Sequence, residues 1–184
     1  MKNISRRKFT KILGCGCAFS MTSCSYNPIN KRSQLNIVPD SIIKHMSDEY
    51  YYEFLSDNDL VKDKKLVKKV REIGRRIEIG IEKYFEKENR LNEYKKYQYD
   101  YEINVIKDKR TINAFAMPTA KIVFYSRIFD FANNEDEIAT IMGHEMGHVV
   151  AWHSKERMSH AVALEFVSSA TGGIIGSGSA LSEI

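Results

Sequence analysis

The spacing of apolar residues changes once, between Lys96 and Tyr97, and the change limits the chain to folds that mix helix and sheet. From Lys62 to Lys96, residues Leu66, Val70, Ile73, Ile77, Ile81, Tyr84 and Leu91 follow steps of three and four (seven at the last), with charges between them. That is the pattern of one long amphipathic helix. From Tyr97 the period is two: Tyr97, Tyr99, Tyr101, Ile103 and Val105 alternate with Gln98, Asp100, Glu102 and Asn104, which predicts a strand with one face on a core. Lys107 to Arg110 read as a turn. Two shorter runs, Ile112 to Met117 and Lys121 to Tyr125, separated by Pro118-Thr119-Ala120, complete a small antiparallel sheet. Asn134-Glu135-Asp136-Glu137 then opens a further helix as a capping box, with Ile138, Ile141, Met142, Met146, Val149 and Val150 on one stripe. The fold class is α+β: a long N-terminal helix, a small antiparallel sheet, then this second helix.

The first 23 residues stand apart from that fold. Five of the 28 cations (Lys2, Arg6, Arg7, Lys8, Lys11) fall in the first 11 residues with no acid among them; without them 23 cations face 24 anions. The basic balance is therefore no argument for a nucleic-acid partner. A cationic start, a short apolar stretch from Ile12 to Phe19 and small residues before Cys24 read as an export segment. Ser5-Arg6-Arg7-Lys8-Phe9-Thr10-Lys11 resembles a twin-arginine signal, with Thr10 where leucine is commoner. Met21-Thr22-Ser23-Cys24 resembles the lipobox of bacterial lipoproteins, with Met21 in place of the usual leucine. The alternatives are a cytosolic protein with a cationic start or a plain secretory leader. The lipoprotein reading predicts residues 1–23 as signal peptide, a lipid anchor on Cys24, and the periplasmic side of a bacterial cell envelope. All three cysteines (Cys15, Cys17, Cys24) lie in or at the end of this segment, so the domain carries no disulfide or thiolate metal site. Residues 24–59, polar with scattered proline and asparagine, read as a tether, and 60–184 as the domain.

The chemistry sits on the capped helix. His144-Glu145-Met146-Gly147-His148 has the H-E-x-x-H spacing. Four residues on a helix return to within about 40° of the starting direction, so His144 and His148 can take adjacent positions on one zinc ion. Glu145 is turned about 100° from His144, where it can serve as general base without occupying a coordination position. Gly143 and Gly147 leave no side chain beside the metal, at a helix cost of up to about 1 kcal/mol each.

The flanking residues extend the match. Asn113-Ala114-Phe115-Ala116-Met117-Pro118, Lys121-Ile122-Val123-Phe124-Tyr125 and Glu137-Ile138-Ala139, running into Gly143-His144-Glu145-Met146-Gly147-His148-Val149-Val150-Ala151-Trp152-His153, resemble the zinc metalloendopeptidase (gluzincin) family. That family includes the CAAX prenyl protease, the HtpX-like proteases and the β-barrel assembly-enhancing protease. The resemblance spans about Leu66 to Ser159 and implies a zincin-like fold with an active-site helix. It further implies that Asn113, Ala114, Phe115 and Ala116 form an edge strand holding an extended polypeptide by main-chain hydrogen bonds; a plain sheet edge is the other reading. Pro118-Thr119-Ala120 stands where the family usually has glycines.

A catalytic zinc needs three protein ligands. By resemblance the third is a glutamate of an E-x-x-A-D stretch on a later helix, and Glu156, Glu165 and Glu183 do not fit that pattern. His153, nine residues or about 900° from His144 on an unbroken helix, is expected on the opposite face and off the metal; His160 and His45 have no spacing relation to the motif. The small, glycine-containing tail from Ala161 to Ile184 reads as the stump of a domain cut short. Two functions follow: a zinc-dependent endopeptidase acting on extended or misfolded polypeptide in the envelope, or an inactive truncated remnant that acts at most as a lipid-anchored peptide-binding module.

Overall fold

The computed structural model describes residues 24–27 and 31–170; residues 1–23, expected to be a signal peptide, and the tail beyond 170 lie outside them. The elements are β1 (Cys24–Asn27), β2 (Arg32–Leu35), α1 (Asp40–Asp57), α2 (Lys64–Lys87), α3 (Leu91–Lys96), β3 (Glu102–Ile106), β4 (Ala114–Ala116), β5 (Lys121–Tyr125), a 3-10 turn (Ser126–Asp130), α4 (Glu135–Val150) and α5 (His153–Ala170). The class is mixed α+β, and the described chain divides into two units, Asp40–Ser154 and the segments on either side of it.

In the larger unit the strand order is β3-β5-β4. β5 takes the centre because Ile122, Val123 and Phe124 are completely buried, which requires cover on both faces. β4 pairs with it antiparallel, Ala114 opposite Phe124, whereas β3 runs parallel, Glu102 opposite Lys121. The sheet is thus mixed rather than antiparallel. The stretch from Lys107 to Ala120, β4 included, supplies the length that a parallel crossover needs.

One face of the sheet, with Ile103, Val105, Ile122 and Phe124, packs on Val70 and Ile73 of α2 and on Ile138, Met142 and Met146 of α4. Gly74 eases the approach of α2, since a Cβ there would run into Ile103 Cδ1. The other face, with Ile106 and Val123, packs on Tyr51 of α1, with Phe54, Leu55, Phe115 and Tyr125 around it. That second layer corrects the tether reading of 24–59, because residues 40–57 form a helix whose Tyr51 is fully buried. It also corrects the one-faced reading of β3. Asn104, expected on a solvated face, is 8% exposed and fully engaged. Its Nδ2 donates to the Tyr51 hydroxyl (2.9 Å) and Glu102 Oε1 (3.0 Å), and its Oδ1 accepts from Arg71 Nη2 (2.7 Å).

Two boundaries moved for backbone reasons. The long helix stops at Lys87, where Asn89 turns left-handed (φ 57°), a conformation asparagine tolerates well, and donates its N–H to Glu86 O. Period two begins at Tyr97, but the strand begins at Glu102, because Tyr97 caps α3 and Gln98 is left-handed (φ 47°). The alternating tyrosines instead pack as a ladder: Tyr97–Tyr99 and Tyr99–Tyr101 have ring centroids 5.9 and 6.0 Å apart.

The outer edge of β3 is covered. Val61 N–H donates to Val105 O (2.9 Å), Lys107 N–H to Asp59 O (2.6 Å) and Arg71 Nε to Ile103 O (2.9 Å). β4 forms the opposite edge of the sheet.

In the smaller unit β1 and β2 form an antiparallel hairpin, Cys24 opposite Leu35. Arg32 grips Glu156 of α5 with both terminal nitrogens, Gln34 Nε2 adds a third hydrogen bond (3.0 Å), and Ser159 Oγ accepts the Ile37 N–H. Cys24 is exposed and forms no disulfide. No described helix is long and apolar enough to cross a membrane.

Candidate metal centre

The seating of α4 follows from its start and its stripe. Asn134 Oδ1 accepts the Glu137 N–H (2.9 Å), as expected of the cap, while the Glu137 carboxylate reaches one residue further back than the expected box, to the Asn133 N–H (2.6 Å). Ile138, Met142, Met146, Val149 and Val150 are buried. That rotation turns His144, Glu145 and His148 away from the core, and His144 Nε2 and His148 Nε2 come to 3.0 Å. Two nitrogens each about 2.0–2.1 Å from one zinc ion can stand that far apart. The pair therefore fits a shared metal. A Cβ added at Gly143 or Gly147 would meet nothing within 4 Å, so the helix surface beside the histidines is open. Close backbone approach does not explain either glycine.

Glu145 is half-buried and accepts the Ala116 N–H of β4. Burial pushes its carboxyl above the usual carboxylate range, countered in part by His144 and by that N–H. Alanines at 114 and 116 are what let α4 lie against the strand: their small side chains belong to the α2/α4 core, whereas Phe115 points to the α1 layer, its ring 5.3 Å from Phe54. Tyr125 N–H donates to Asn113 O and Met117 N–H to Lys121 O, so by antiparallel alternation Asn113, Phe115 and Met117 bond toward β5. Ala114 and Ala116 turn their main-chain groups outward. Of the four residues predicted to hold a peptide, these two face the edge.

The expectation for His153 fails on its premise. The helix is broken at Ala151-Trp152, and Trp152 is left-handed (φ 58°) with no glycine or proline to announce the turn. The turn is pinned by the buried indole, which donates to Tyr99 Oη (3.0 Å) and meets Tyr97 edge-on at 4.8 Å. His153, first residue of α5, thereby comes back to His148, Nδ1 to Nδ1 2.6 Å. Among the described residues no three histidine, cysteine, aspartate or glutamate side chains assemble as a metal cage. Glu156, one of the glutamates after the motif, is committed to Arg32 and Gln34.

The model of peptidase family M48 matches residues 78–182, more than half of the chain. The chain belongs to peptidase family M48. Among curated M48 relatives it is similar to the mitochondrial metalloendopeptidase OMA1 of Schizosaccharomyces pombe, 27% identical over 162 residues, covering 86% of this chain and 44% of that protein. It is also similar to metalloprotease LoiP of Escherichia coli, 37% identical over 81 residues (42% of this chain, 31% of LoiP). A third relative is the β-barrel assembly-enhancing protease of E. coli, 38% identical over 47 residues (26% and 10%). The chain thus spans less than half the length of each of these M48 proteins.

Proposed function

We propose that this chain carries the catalytic helix of a zinc-dependent, zincin-type endopeptidase that takes extended or misfolded polypeptide along β4. The observation that carries the reading is the convergence of three features: a 3.0 Å Nε2 pair, a half-buried carboxyl one helix position on, and a sheet edge whose outward N–H reaches that carboxyl. Family membership and the metalloendopeptidase and metalloprotease names of the relatives support it. His144 and His148 would hold a zinc ion, which when bound would supply Lewis acidity for a scissile carbonyl and acidify a water. Glu145 takes the proton of the attacking water and hands it to the departing amine. β4 holds the peptide through the outward main-chain groups of Ala114 and the carbonyl of Ala116, whose N–H is taken by Glu145.

With zinc and a reduced, unfolded protein, the full chain is expected to release internal fragments, and a chelator to stop this. Ala114→Pro removes an outward N–H on an edge strand without touching the β5 pairing. It is expected to weaken peptide binding about 2–10-fold, the worth of one hydrogen bond at about 0.5–1.5 kcal/mol, at unchanged zinc content. Unaltered binding would detach β4 from substrate. Peptide bound but left intact would favour the second reading, a binding module without catalysis, which the lack of a third ligand among the described residues also favours.

The same proposal places the protein on the periplasmic side of a bacterial envelope, held by acyl chains on Cys24. Each buried methylene contributes about 0.8 kcal/mol. Cys24→Ser is expected to move the protein from the membrane fraction to the soluble one; continued sedimentation with membranes would remove the anchor.

A further inference from the structure

We propose that His153 is a positioning residue for His148: it holds the Nδ1 side of that imidazole so that Nε2 is the nitrogen presented to the metal. The inference rests on the zinc reading of the His144/His148 pair. The three rings follow one another in contact, His144 Nε2 to His148 Nε2 at 3.0 Å and His148 Nδ1 to His153 Nδ1 at 2.6 Å. A metal-ligating imidazole must be neutral, with a bare nitrogen on the ion and its one proton on the other nitrogen. For His148 that proton is on Nδ1, and His153 Nδ1 stands where the N–H points. His153 then carries its own proton on Nε2. Groups that accept the second N–H of a metal histidine fix its tautomer and orientation, a part usually taken by a carboxylate or carbonyl. Here an imidazole takes it.

The backbone is arranged to this end. A left-handed residue other than glycine costs about 1–2 kcal/mol and is rare for a bulky side chain. At Trp152 the cost is offset by the buried indole and its hydrogen bond to Tyr99. The bend changes the direction of His153 from the far side of a continuous helix to the back of His148. The same geometry argues against His153 as third ligand. It meets His148 at Nδ1, across the ring from the Nε2 that faces His144.

Zinc affinity of the full chain, measured by competition with a coloured chelator, tests the assignment without any substrate. His153→Ala is expected to weaken zinc binding about 10–100-fold. His153→Asn, whose Oδ1 takes the place of Nδ1 as acceptor, is expected to keep most of the affinity. Wild-type affinity in His153→Ala would reduce the contact to packing, and loss of zinc as complete as in His148→Ala would make His153 a ligand; either overturns the proposal alone. A wild-type chain that takes up no zinc overturns the metal reading and this proposal with it. Should the alanine variant fail to fold, His153→Asn is expected to bind zinc more tightly than His153→Gln, whose amide sits one bond further out, and equal affinities would overturn the assignment.

Discussion

Glu145→Gln is expected to lower peptide cleavage by about 10²–10⁴-fold, the usual contribution of a positioned general base, and to leave zinc binding intact. The amide has the shape of the carboxyl but cannot take a proton from water. It keeps an oxygen for the Ala116 N–H, so the contact between α4 and β4 survives. His144 and His148 are untouched, because Glu145 lies about 100° round the helix from His144. Folding should not suffer either: burial already disfavours the charged carboxyl, and a neutral amide removes that cost. Cleavage by the glutamine variant at the wild-type rate, read as fragments from an unfolded protein, would take Glu145 out of the mechanism.

The second large effect is on stability, at the floor of the site. Met142 is fully buried in the stripe that seats α4 on the sheet and α2, two residues before His144, and its Cε comes within 3.5 Å of where a side chain on Gly74 would begin. Met142→Ala is expected to cost about 2–5 kcal/mol, since it removes apolar contact and leaves a cavity between two helices and a sheet. A domain of this size holds about 5–15 kcal/mol in all, so the urea midpoint should fall by a large fraction. A change below about 1 kcal/mol would mean that α4 is held by something other than this stripe.

Much of this was legible beforehand because it depends on local period and on caps. The capped helix, its buried stripe and the shared face of His144 and His148 follow from residue spacing alone. What escaped was tertiary. Nothing in Asp40 to Asp57 shows that Tyr51 will bury its ring and give Asn104 a partner, so by sequence a helix of the core looks like a tether, and a strand covered on both faces looks one-sided. Parallel pairing of β3 with β5 is invisible to period two, which is the same for either direction. Trp152 carried no signal of a turn, because its left-handed backbone is sustained by Tyr97 and Tyr99, some fifty residues away. That one turn separates a histidine on the wrong face from one at the back of a zinc ligand.

Zinc stoichiometry and affinity of the purified full chain, measured beside His148→Ala, decide whether the paired histidines hold a metal. One zinc per chain is expected, lost in the variant while the helical spectrum is kept. Equal zinc uptake by the two proteins, or none by the wild type, would contradict it.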